Sequence, residues 1–87
     1  MNDDVNFTRT AFEQYVYWQS QDKKTIKRIN KLINSILRNG AMQGEGKPEP
    51  LKYRPGYSRR IDQDNRLVYD IKNDSLLIIS CKEHYQE

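Results

Sequence analysis

Eighty-seven residues, 36% hydrophobic and 31% charged, make one domain spanning 1–87, near the lower size limit for a self-sufficient core. Fifteen Lys and Arg against twelve Asp and Glu leave a net charge of +3, which permits a polyanionic partner without demanding one. One cysteine, one histidine, no Gly-rich phosphate loop and no strongly apolar run longer than Leu76 to Ile79 exclude an internal disulfide, a Cys/His metal cluster, a nucleotide switch and a membrane span, so a cytoplasmic protein with no cofactor is expected.

Val5 to Thr8 reads as a short strand. Thr10, with Glu13 three residues later, has a capping-box signature that opens a helix running to about Ser20. Its Phe12, Tyr15, Val16 and Trp18 fall at helical spacing, leaving Glu13, Gln14 and Gln19 for the other side. The stripe reads as a core face, and its width leaves Tyr17 and Trp18 a second reading as a self-association surface. Asp22 caps a second helix whose Ile26, Ile29, Leu32, Ile33, Ile36 and Leu37 recur every three or four residues until Asn39-Gly40 stops it. Between Asp22 and Arg38 six cations face one anion, a local +5. Such a run is either a solvated face or a face for nucleic acid.

Asn39 to Pro50 holds three of the four glycines and two of the three prolines, and reads as the loop between a helical half and a strand half. Tyr57 to Ile61, Arg66 to Ile71 and Ser75 to His84 then alternate with a period of two, joined by Asp62-Gln63-Asp64-Asn65 and Asn73-Asp74. The fold class is α+β, with two N-terminal helices packed on a small antiparallel sheet. Leu67, Tyr69 and Ile71, with Leu77, Ile79 and Cys81, are the expected apolar face beneath the helices.

Consecutive hairpins place the end of one strand beside the start of the next. Arg59 and Arg60, Arg66, and Lys82 with His84 should therefore gather at one end of the sheet. Lys47, Lys52 and Arg54 add to the same side, and residues 47–60 carry +4. Glu49 is the one anion in that stretch. The prolines at 48 and 50 should hold Lys47 and Glu49 extended and stiff, either as a solvated connector or as the mount of a working carboxylate. Neighbouring cations keep such a carboxylate ionised and able to accept a proton.

A carboxylate base, a guanidinium and an imidazole together meet the needs of phosphodiester transfer within RNA. The base takes the 2′-hydroxyl proton, fixed positive charge steadies the phosphorane, and an acid protonates the departing 5′-oxygen, without a metal. Tyr57 and Tyr85, set among the basic residues, are candidates to stack a base or steer a phosphate.

Gly46-Lys47-Pro48-Glu49-Pro50-Leu51-Lys52, Ser58-Arg59-Arg60-Ile61, Asn65-Arg66-Leu67-Val68-Tyr69 and His84-Tyr85 resemble the YoeB family of bacterial toxin ribonucleases. Tyr15-Val16-Tyr17-Trp18-Gln19 followed by Asp22-Lys23 resembles the first helix of the same family, so the likeness runs in order over nearly the whole chain. It implies the RelE-type toxin fold, β-α-α-β-β-β, and a type II toxin that cuts translated mRNA in the ribosomal A site. The implied partners are mRNA, ribosomal RNA, a YefM-type antitoxin and a second copy in a homodimer. The resemblance puts the general base on Glu49, the transition-state cation on Arg66 and the general acid on His84, with Tyr85 beside the leaving group. Lys52, Arg59 and Arg60 match its phosphate-holding positions, and Lys47 and Tyr57 complete the expected RNA surface. A module of the same fold that binds RNA, the ribosome or a protein without cutting is the alternative. Three features depart from the family pattern: the short stretch 53–57, with Tyr57 where a tryptophan is usual; Ala41-Met42-Gln43 in place of a Pro-Phe pair; and the added Gln86 and Glu87.

Overall fold

The computed structural model describes residues 1–85, so Gln86 and Glu87 lie outside the described residues. Along the chain come β1 (Val5–Phe7), α1 (Arg9–Gln21), α2 (Lys23–Asn39), β2 (Glu49–Pro50), β3 (Tyr57–Arg60), β4 (Arg66–Lys72) and β5 (Ser75–Ser80). No helix among the described residues is long and apolar enough to cross a membrane.

Thr8, rather than Thr10, caps α1. Its Oγ1 accepts the Ala11 N–H at 3.1 Å and donates to the Ile79 carbonyl at 3.0 Å, so the hydroxyl that starts the helix also ties it to β5. Glu13 does not reach back to a cap and instead meets Arg9 one turn earlier. The expected core stripe of α1 is also narrower than its sequence suggests. Ala11 is the buried residue of α1, Tyr15 and Trp18 are half-buried, and Phe12 and Val16 are 56% and 44% exposed. Gln14 turns inward, where its Oε1 accepts the Cys81 N–H at 2.7 Å. The helix lies over the β1–β5 margin of the sheet.

Asp22 ends one helix and begins the other. Its N–H donates to the Trp18 carbonyl, while its carboxylate accepts the N–H groups of Lys24 and Thr25 and the Thr25 hydroxyl. The Thr25 hydroxyl is the main cause of its lowered pKa. Ile29, Leu32, Ile33 and Ile36 of α2 are buried, as their spacing predicts, and Gly40 at φ 93° closes the helix with its N–H on the Ile36 carbonyl.

The five strands run in the order β1-β5-β4-β3-β2. The expected antiparallel meander forms from β3, β4 and β5, but β1 lies parallel to β5, which makes the sheet mixed. Both helices intervene between β1 and the meander, so β1 joins at the far edge, where a hairpin cannot reach. The phase of β5 also differs. Leu76 and Ile78, not Leu77 and Ile79, are the fully buried residues of the strand and join Leu67, Tyr69 and Cys81 in the core. As β4 steps from Val68 to Tyr69, its partner steps from Ser80 to Ile78, and this extra residue brings Cys81 back to the apolar side.

Candidate active site

Strand alternation builds the site. In the β3–β4 ladder Ser58 faces Val68 and Arg60 faces Arg66, so these four side chains share one face of the sheet, while Tyr57, Arg59, Leu67 and Tyr69 share the other. Glu49 pairs with Ser58 in the β2–β3 register and joins the first group. Proline at 50 is compatible with β2 because the strand is a two-residue edge.

Arg66 is the centre of that face. Its Nη2 donates to Glu49 Oε1 at 3.0 Å and to Ser58 Oγ at 2.9 Å, and its Nε reaches the same hydroxyl at 3.2 Å. The guanidinium is thus fixed by two partners. A cleft of about 180 Å³ opens beside it, lined by Glu49, Pro50, Leu51, Lys52, Ser58, Arg66, Val68, His84 and Tyr85. Glu49, Arg66, His84, Tyr85 and Lys52 therefore come together. Ser58 is the member without an expected role, although its place one residue before Arg59 puts it on the Arg60 face by alternation alone. His84 does not extend β5, which ends at Ser80; residues 81–85 leave the sheet and curl back, with Glu83 at φ 63°. The Arg54 Nη1 donates to the Tyr85 hydroxyl, and the guanidinium carbon lies 5.5 Å from the ring centroid.

Arg59 belongs elsewhere. It is fully buried, and its guanidinium donates to the Tyr69 hydroxyl, the Ser35 hydroxyl and the carbonyls of Gly40, Ala41, Gln43 and Glu45. A side chain whose donors are spent on the 40–45 loop has none for phosphate, so the expected RNA contact is corrected to a structural role. Tyr57 is likewise on the helix-facing side, stacked 5.7 Å from Tyr69 and packed on the core, and is not placed to stack a base in the cleft. Lys47 has φ 53°, not the extended backbone expected before a proline, and stands exposed outside the cleft lining. Arg60 is exposed on the Arg66 face. Lys82 leaves the cationic cluster, pairing with Glu83 at 2.9 Å and lying 5.2 Å from the Tyr17 ring centroid. Part of the positive face of α2 is balanced, since Arg28 and Lys31 approach Glu45 at 3.8 and 3.4 Å.

Cys81 has no part in the cleft, and burial pushes its thiol up to about 12. Among the described residues no group of three or more His, Cys, Asp and Glu side chains is placed to hold a metal ion. The polar groups on the cleft are instead a carboxylate, a guanidinium, an ammonium, a hydroxyl, an imidazole and a phenol, a set suited to proton transfer around an anionic centre.

The family model for YoeB-like toxins of bacterial type II toxin-antitoxin systems matches residues 7–85. Toxin YoeB of Synechocystis is 51% identical over 84 residues, which is 94% of this chain and 96% of that protein. The YoeB–YefM heterotetramer from Staphylococcus aureus contains a chain that superposes with a TM-score of 0.88 at 48% identity, covering 98% of this chain and 100% of its own. The YoeB dimer from the same organism superposes with a TM-score of 0.88 at 50% identity, covering 94% of this chain and 97% of its own. The cleft thus lies in a fold and a sequence shared with these toxins over nearly their full length, and the chain belongs to the YoeB-like toxins of bacterial type II toxin-antitoxin systems.

Proposed function

We propose that the protein is a cytoplasmic, ribosome-dependent endoribonuclease that cuts translated mRNA in the A site. The observation that carries this reading is the Glu49–Arg66 pair at 3.0 Å on a cleft that His84 and Tyr85 also line. Glu49 takes the 2′-hydroxyl proton, and the freed oxygen attacks the adjacent phosphorus. Arg66 bears the charge that builds on the phosphorane. His84 protonates the 5′-oxygen as the phosphorus–oxygen bond breaks, leaving a 2′,3′-cyclic phosphate and a 5′-hydroxyl. Tyr85 sits beside that leaving group, and Lys52 and Arg60 hold flanking phosphates. The family resemblance and the S. aureus YoeB–YefM complex support neutralisation by a YefM-type antitoxin, and the S. aureus YoeB dimer supports self-association.

Primer extension on programmed ribosomes tests the reading. Wild-type protein yields cuts at the A-site codon, and Glu49→Gln and His84→Ala each lower the rate by about 10²–10⁴-fold. Cleavage by both variants at the wild-type rate would remove the acid/base assignment. Salt-sensitive ribosome binding without any cut would favour the non-catalytic module.

A further inference from the structure

His84 and Tyr85 carry chemistry but belong to no strand, so something other than the sheet ladder must fix them. Asn65, nine-tenths buried in the β3–β4 turn, holds the residue before them. Its Nδ2 donates to both carboxylate oxygens of Asp62, at 3.0 and 3.2 Å, which aims its Oδ1 the other way to accept the Glu83 N–H at 2.7 Å. The Glu83 carbonyl accepts the Arg66 N–H at 3.2 Å. Glu83 is therefore held through both backbone groups by the turn and by the first residue of β4. On the other side of His84, Arg54 holds Tyr85 at its hydroxyl, with the guanidinium carbon 5.5 Å from the ring centroid. Arg54 stands in the short 53–57 stretch, where the sequence leaves the family pattern.

We propose that Asn65 and Arg54 are positioning residues that hold the His84–Tyr85 dipeptide against the Glu49–Arg66 pair from its two ends. The inference rests on the ribonuclease reading for its rate effect and on geometry alone for its effect on His84. An acid held at both flanking residues loses little orientational freedom when the scissile phosphate arrives, which is where such anchoring acts on rate.

The single histidine makes the His84 Hε1 proton an unambiguous NMR probe. In Asn65→Ala and Arg54→Met that resonance moves toward its position in the urea-unfolded chain. Single-turnover cleavage on programmed ribosomes falls about 10- to 100-fold, while the toxin concentration at half-saturation stays within about twofold. Arg54→Lys, which keeps a donor and a cation, recovers part of the rate. Because Asn65 is buried, its variant can fail to fold; Arg54→Met on an exposed loop then carries the test. An unmoved His84 resonance in Arg54→Met, or a moved resonance with wild-type cleavage, overturns the proposal. A moved resonance in a protein whose wild type cuts no mRNA upholds the anchoring and sinks only the ribonuclease reading.

Discussion

Replacing Arg59 with alanine removes a fully buried guanidinium and takes a donor from six acceptors. Ala41 O keeps the Tyr69 hydroxyl at 2.6 Å, and Ser35 Oγ keeps the Glu45 N–H at 3.1 Å and Asn39 Nδ2 at 3.2 Å. The loss therefore concentrates on the carbonyls of Gly40, Gln43 and Glu45. At about 1–3 kcal/mol for an acceptor left without any partner, three carbonyls set an upper bound of roughly 3–9 kcal/mol, which water lowers because Gln43 and Glu45 are exposed residues. Relief of the several kcal/mol spent in desolvating the cation, and water entering the vacated space, offset a large part of this. A net loss of about 3 kcal/mol is expected, in a chain whose total stability is on the order of 4–13 kcal/mol. At about 4–8 °C per kcal/mol for a domain of this size, Tm falls by roughly 12–24 °C. Urea unfolding followed by fluorescence of Trp18, whose Nε1 bonds to the Cys81 carbonyl, measures the change. Arg60→Ala, one residue along but exposed, serves as control and shifts stability by no more than about 0.5 kcal/mol. Equal midpoints for the two variants would refute the assignment of Arg59 as organiser of the 40–45 loop.

That loop yields a second contrast. An alanine Cβ at Gly44 (φ 104°) would stand 2.2 Å from Ser35 Oγ and 2.7 Å from Asn39 Nδ2, whereas one at Gly40 (φ 93°) meets nothing within 4 Å. Gly44→Ala is expected to cost about 2–4 kcal/mol and Gly40→Ala about 1 kcal/mol, and equal losses in a denaturant titration would contradict the crowding. Ser58→Ala removes one of the two partners that fix Arg66, so A-site cleavage is expected to drop about tenfold with an unchanged far-UV spectrum. Cys81 should resist thiol reagents at pH 8 until the chain unfolds. Its thiol rises from 9.0 to about 12 on folding, so the unfolded chain releases a proton that the folded chain retains. The corresponding stability is complete below about pH 9 and is lost as pH rises toward 12, and Cys81→Ala removes that part of the pH slope.

The second helix is legible because α2 repeats its apolar residues over seventeen positions between two unambiguous stops, Asp22 and Gly40, whereas α1 starts at a different cap and buries less of its stripe than its spacing suggests. Hairpin order brings Arg66 to the cleft, Glu49 stands out as the one anion between two prolines, and the family motifs name both; His84 reaches the cleft by a turn after β5 rather than along the strand that the alternation suggests. Hairpin order alone puts Arg59 beside Arg60, whereas the strand period sends the two adjacent arginines to opposite faces. The burial of Arg59 is stabilised by carbonyls at the C-terminal end of α2 and in the loop beyond, partners that leave no mark in a sequence. The phase of β5 likewise departs from simple alternation. A single extra residue in that strand resets the alternation, and Leu77 and Ile79 are as apolar as the Leu76 and Ile78 that are buried. Parallel pairing of β1 depends on residues more than seventy positions away, beyond the reach of any local pattern.

That pairing has a consequence for the order of folding. Val5 meets Leu76 and Phe7 meets Ile78, so the first strand of the chain waits for the last. Closing a loop of that length costs about 4 kcal/mol of chain entropy beyond a constant term, whereas the β3–β4 and β4–β5 hairpins close locally and cheaply. The expected sequence is α2 with the meander first and β1 docking last. During synthesis β1 has no strand to pair with until residue 78 is free of the ribosome, and the bond from the Thr8 hydroxyl to the Ile79 carbonyl forms only then. Amide hydrogen exchange pulsed during refolding would then find Val5 to Ala11 the last segment to gain protection.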